Sequence, residues 1–184
     1  MKATQHLITE HESVLQMLDI LKSAASKLSS GDKVPPADLE AMLDFLKVFV
    51  DRCHHGKEEQ VLFPKLMDSG IPNEGGPVGM MLFEHVKGRG YIGGLGSGVA
   101  KYKSGDASGI PEIIENINEY AELLYAHIYK ENNILYKMAD VHLTAGDQEE
   151  LLEAFKKTEA EALPGVMGQV YRQMLERLRL KYAG

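Results

Sequence analysis

The chain has 184 residues, 44% hydrophobic and 26% charged, with a net charge of −7, no tryptophan and one cysteine. That length suits one domain with a real core and is short for two. Cys53 alone excludes an intramolecular disulfide, no apolar run approaches the ~18 residues of a membrane span, and no cluster of Lys and Arg offers a phosphate-binding surface, so the expectation is a single domain over residues 1–184 in a reducing, cytoplasmic setting, without membrane or nucleic acid as partner.

From about Thr4 to Leu28 the apolar residues Leu7, Val14, Leu18, Leu21, Ala25 and Leu28 fall at the spacing of a bundle helix, and His11 occupies one slot of that stripe. Ser29 to Pro36 reads as a turn, and Pro35-Pro36-Ala37-Asp38 suits the entry to a second helix running to about Asp68. His11 to Leu28 and Ala37 to His54 are both 17 residues, so at ~1.5 Å per residue the hairpin returns His54 to the height of His11.

Ser69 to Pro77 breaks the chain, and a third helix starts near Pro77, carrying Met80, Met81, Phe83, His85 and Ile92. It then thins into Gly88, Gly90, Gly93, Gly94, Gly96 and Gly98, each costing a helix up to ~1 kcal/mol relative to Ala, so its end is expected to fray. A sharper reading is that Gly90, Gly94 and Gly98, on one face, open a path for a small ligand. Gly88 to Gly93 also matches G-x-G-x-x-G, but no strand precedes it and the match reads as coincidence. A fourth helix spans about Ile110 to Asp140. The hairpins thus cover about 4–68 and 77–140. Further helices at about 148–182, broken at Pro164-Gly165, carry no ligand-type pairs and are expected to pack across the bundle or to make a homodimer contact.

The two hairpins repeat each other. His54 to Phe63 reads H-H-G-K-E-E-Q-V-L-F and His127 to Tyr136 reads H-I-Y-K-E-N-N-I-L-Y, 73 residues on; Glu10-His11 and Glu84-His85 repeat 74 apart. Each long copy sets a His four residues before a Glu, one above the other on a helix face. A lone pair of this kind is usually an ordinary solvated pair, but two copies with matching flanks and matching heights favour a metal. His11, His54, Glu58, His85, His127 and Glu131 are the candidate ligands. Four imidazoles with two carboxylates suit two irons, because carboxylates bridge hard cations while neutral imidazoles cap them, and an oxo or hydroxo bridge or an open position would complete the shell. A mononuclear or zinc site stays open on the donor set alone. Glu-x-x-His and H-E-x-x-H, the strings of ferritin-like di-iron bundles and zinc peptidases, do not occur.

T-E-H ending at His11, D-R-C-H-H-G-K-E-E-Q-V-L-F-P from Asp51 to Pro64, G-P-V-G-M-M-L-F-E-H ending at His85 and H-I-Y-K-E-N-N-I-L-Y together resemble the hemerythrin-like HHE cation-binding proteins over nearly the full length. The resemblance implies an all-α, up-down-up-down four-helix bundle, here with additional C-terminal helices, around a non-haem di-iron centre. It also implies a small diatomic or peroxide ligand: members are linked with oxygen binding or sensing, with nitric oxide or peroxide chemistry and with iron handling. Two functions follow as expectations, a di-iron protein that binds or reacts with O2, NO or peroxide, as an oxidoreductase if it turns over, and a non-catalytic iron-binding or redox/oxygen sensor. Oxygen-carrying members resemble one another in a His-x-x-x-His pair on the third helix; here Arg89 follows His85 by four, which favours a reacting centre over a reversible carrier.

Among the remaining residues, Cys53 reads as a buried small hydrophobe, His6, His55 and His142 as solvated rather than liganding, with His55 the strongest exception, and Tyr91, Tyr125 and Tyr129 as the phenols flanking the site. His54-His55-Gly-Lys-Glu58-Glu59 holds two overlapping His-x-x-x-Glu pairs, of which one is expected to face the axis. Val48, Leu62 and Leu66 favour the His55 face, whereas Leu43, Val50 and Val61 favour the His54 face. The repeat chooses His54, since Ile128 stands opposite His55; His55 is therefore expected to be dispensable for iron and to tune reactivity from behind the ligands.

Overall fold

The computed structural model describes residues 2–182, which form helices joined by short turns, with no strand among them. Helices α1 (Ala3–Ser29), α2 (Pro36–Asp68), α3 (Pro77–Lys103) and α4 (Gly109–His142) form the up-down-up-down bundle, and α5 (Ala145–Ala162) and α6 (Met167–Tyr182) follow. No helix is long and apolar enough to cross a membrane.

The ends of these helices are written locally. Proline opens α2 and α3, where its missing N–H costs nothing. Both hairpins leave their first helix through a glycine with positive φ, Gly31 (83°) and Gly105 (86°), after which Asp32 and Asp106 donate back to Lys27 and Lys101. Thr144 and Asp147 cap α5 reciprocally.

The C-terminal helices pack on the α1–α2 hairpin. Gln148 of α5 accepts from the Ala3 amide at 2.8 Å, satisfying an N–H that α1 leaves free. On α6, Arg177, Lys181 and Tyr182 converge on Asp38 in the first turn of α2, and the hydrogen bonds of these two cations and the phenol hold its carboxyl at about 2 against the effect of burial.

The α3 helix does not fray: it runs unbroken through all six glycines to Lys103. The reason is tertiary. A Cβ on Gly98 would stand 3.0 Å from the backbone nitrogen of Ile113 and one on Gly94 would strike Asn116, so the glycines let α3 and α4 approach closely. Asn116 and Ile113 thus fill the space beside Gly94 and Gly98, and of the three glycines read as a ligand path Gly90 has open space beside it.

Two apolar layers result. One holds Val14, Leu18, Val50, Ile92, Leu124 and Ile128, the other Leu7, Leu62, Phe63, Val78, Leu135 and Tyr136. Between them, with at least one on each of α1 to α4, fall the buried polar residues His11, His54, Glu58, His85, His127 and Glu131.

Candidate metal centre

Buried imidazoles and carboxylates must find partners, and the contacts they make here define a layer facing inward. Each candidate histidine is held from outside through Nδ1: His11 donates to Asn132 (2.8 Å), His54 to Glu10 (2.9 Å), His85 to Glu59 (2.7 Å) and His127 to Glu84 (2.8 Å). The carboxylates are in turn held by cations, Glu10 by Lys57, Glu59 by Arg89 and Glu84 by Lys130. The repeated Glu-His pairs thereby acquire a role: Glu10 and Glu84 each orient the histidine of the other helix in their own hairpin. The residue after each inner glutamate, Glu59 or Asn132, orients the first histidine of the opposite hairpin.

With the ring proton assigned to Nδ1 by these acceptors, Nε2 is left as a lone pair. These lone pairs converge. His11 Nε2 stands 2.9 Å from His54 Nε2, His85 Nε2 stands 3.1 Å from His127 Nε2, and Glu131 reaches both sides, at 3.2 Å from His11 and 3.2 Å from His127. Glu58 Oε2 lies 3.5 Å from His85 Nε2 and 3.7 Å from that of His54. Adjacent donors of an octahedral ion with ~2.1 Å bonds stand ~3 Å apart, so the spacing suits shared cations. Glu58 Oε2 and both oxygens of Glu131 are buried with no hydrogen-bond partner, which in an interior of this kind calls for a positive charge.

The electrostatics agree. Burial and the neighbouring Glu131 push the Glu58 carboxyl well above the usual range, so without a cation the two carboxylates resist ionising together. Burial and then His11 lower His54 to about 4, leaving it a neutral donor, and burial, then His85, lower His55 strongly. His127 differs: burial opposes its charge, but Glu131 and Glu84 outweigh it and raise the imidazole to about 9, so at neutral pH the metal-free ring also carries a proton on Nε2, toward Glu131, which a bound cation would displace.

The metal-competent groups are His11, His54, Glu58 and Glu131 on one side and His55, Glu58, His85 and His127 on the other, each with its donor atoms within 4.8 Å of one another. All six sequence candidates meet in this layer, with one addition. His55, expected to be solvated, is 4% exposed, and its ring stacks on His85 with centroids 3.8 Å apart. The expectation that one of the two overlapping pairs must turn away presumes an α-helix. Leu46–His55 and Glu58–Leu62 are instead π-helical, as is Glu131–Leu135, and the wider turn admits His54 and His55 together. It also explains why the apolar residues of α2 fit neither face alone.

A third acidic group, His6, Glu10 and Glu159, is claimed by an ammonium: Lys57 Nζ contacts Glu10, and lies 3.1 Å from His6 and 3.6 Å from Glu159. His142 is exposed and donates to Met138. Tyr91 and Tyr125 bond outward to Glu119 and Asp19, and Tyr129 is exposed, so the phenols singled out by sequence do not face the layer. Tyr136 does, and sequence reasoning passed over it, although it stands where the first copy of the repeat has Phe63. Cys53 is buried, as expected, and burial raises its thiol to about 12.

Among known proteins, residues 2–139 match the family model described as the hemerythrin HHE cation binding domain, a span that ends before α5 and α6 and so is shorter than the nearly full-length resemblance. No curated protein and no solved structure matches. With the histidine and glutamate layer at the centre of the matched bundle, the chain belongs to the hemerythrin HHE cation-binding family.

Proposed function

We propose that the buried layer holds two iron ions and binds or reacts with a small ligand, O2, nitric oxide or peroxide. The observation that carries this reading is the meeting of four imidazole Nε2 atoms with three carboxylate oxygens that lack hydrogen-bond partners, in a space walled from water. His11 and His54 would hold one ion, His85 and His127 the other, with Glu58 and Glu131 between them; hard carboxylates with imidazoles suit iron. Bound iron would supply redox change and a ligand position. The chain's own part is to keep the ring protons on Nδ1, to orient the lone pairs and to exclude solvent. Above the histidines Val14, Val50, Leu124 and Ile128 line a gap too tight for a water molecule, so small uncharged ligands that enter on local motion suit it better than organic substrates. The setting proposed is the reducing cytoplasm, where a single buried cysteine is at home.

The test is metal analysis with an optical spectrum of protein purified without added metal. Two irons per chain and ferric charge-transfer bands that azide or nitric oxide perturbs are the expected result; one tight zinc and a featureless spectrum would refute it. Glu58→Ala and Glu131→Ala should lose iron together with the rise in melting temperature that iron confers.

A second reading, a sensor that does not turn over, draws on one observation. Glu159 of α5 stands 3.6 Å from Lys57, which holds Glu10 against His54, so the C-terminal helices touch the contacts behind one histidine. Turnover of peroxide or nitric oxide favours the first reading, and a ligand-dependent change in oligomer size without turnover the second.

A further inference from the structure

The two halves of the layer are not equivalent, and the difference lies at one position. Where α4 has Ile128 after His127, α2 has His55 after His54. The His55 ring lies between its neighbours, stacked on His85 at an interplanar angle of 17° and edge-on to His127 with centroids 6.1 Å apart. Its donor atom falls within 4.8 Å of those of Glu58, His85 and His127.

Nothing in packing requires an imidazole here, for an apolar side chain serves at the repeat position. Burying a polar ring that bonds only weakly, at 3.4 Å to Asp51, is unfavourable unless its other nitrogen is used. The surroundings are arranged for that use. Arg89 donates to Asp51 at 2.7 Å and to Glu59 at 2.7 Å, holding with one guanidinium the carboxylates behind His55 and His85. The π-helical turn that admits His55 ends at His55 itself. Such turns are rare and are frequently found at functional sites.

We propose that His55 is a seventh metal ligand, so that the centre is unequal, with two imidazoles (His11, His54) on one side and three (His55, His85, His127) on the other. The proposal rests on the reading of the layer as a two-metal centre. The unequal donor sets give the two ions different affinities, and loss of His55 weakens the three-imidazole side alone.

The experiment is anaerobic titration of the metal-free full chain with ferrous iron, followed by Mössbauer spectroscopy, for the parent and for His55→Ile. Isoleucine copies the solution of the other half, so the variant is expected to keep the helicity of the parent. His55→Gln, polar and of similar length, provides a second variant should the first fail to fold. The expected result is two unequal iron signals in the parent and, in the variant, either one iron per chain or a second iron bound about tenfold or more weakly. Two irons with unchanged affinities and signals in a folded variant would overturn the role of His55 while leaving the two-metal reading intact. A parent that takes up no stoichiometric iron would overturn both.

Discussion

The hydroxyl of Tyr136 donates to Glu58 Oε1 at 2.6 Å, joining the second copy of the repeat to the inner glutamate of the first. At the equivalent position of the first copy stands Phe63, which has no hydroxyl, and both oxygens of Glu131 are left without a hydrogen-bond partner. The two inner carboxylates are therefore unlike: Glu58 has one oxygen to offer inward and Glu131 has two. Tyr136→Phe should leave the ring packed, as the buried Phe63 is, but lose about 1–3 kcal/mol of stability and change the optical spectrum of the iron-loaded protein. Denaturant unfolding and absorption spectra check this, and an unchanged spectrum would mean that Glu58 needs no such restraint.

The outer carboxylates make a second case. Glu10→Gln and Glu84→Gln keep shape but remove the negative partner of His54 and His127 and strand Lys57 or Lys130. Iron affinity should fall by about 10–100-fold with helicity preserved, measured by competition with a chelator. Equal affinity in both variants would show that the charge behind the imidazole is immaterial.

Asp38 links stability to pH. Its carboxyl lies at about 2 in the folded chain, below its ordinary 3.8, because Lys181, Arg177 and Tyr182 outweigh burial. The stabilisation is therefore fully present above pH ~4 and is lost as the pH falls toward 2. Asp38→Asn should melt lower than the parent at pH 7, with the gap narrowing through that window in metal-free protein. A gap independent of pH would assign the contact to packing rather than charge.

The glycines of α3 separate by position. Gly90 has nothing within 4 Å of where a Cβ would stand, so Gly90→Ala should stabilise by up to ~1 kcal/mol through helix propensity. Gly98→Ala meets Ile113 at 3.0 Å and the Gly109 carbonyl at 3.2 Å, and should destabilise by about 1–3 kcal/mol as α3 and α4 are pushed apart. Thermal melts of the pair decide it; equal shifts would contradict the close approach of these helices.

Much of this protein is legible from local pattern and repetition. The spacing of apolar residues, the prolines at helix starts and the 73-residue repeat were enough to place α1 to α4, to read an all-α bundle and to bring His11, His54, Glu58, His85, His127 and Glu131 to one level, because hairpin geometry follows from counting residues along a regular helix. The role of Glu10 and Glu84 was not legible, although their repetition was plain, since the histidine each one holds belongs to another helix. His55 was misplaced because counting assumes α-helical rotation, and whether a turn widens to π depends on what its side chains gain across the core. Phe63 and Tyr136 looked like one aromatic position, and the glycines of α3 like a weak helix end. That a hydroxyl meets Glu58, and that Asn116 and Ile113 fill the glycine face, are contacts between residues distant in the chain, fixed when the four helices close on one another.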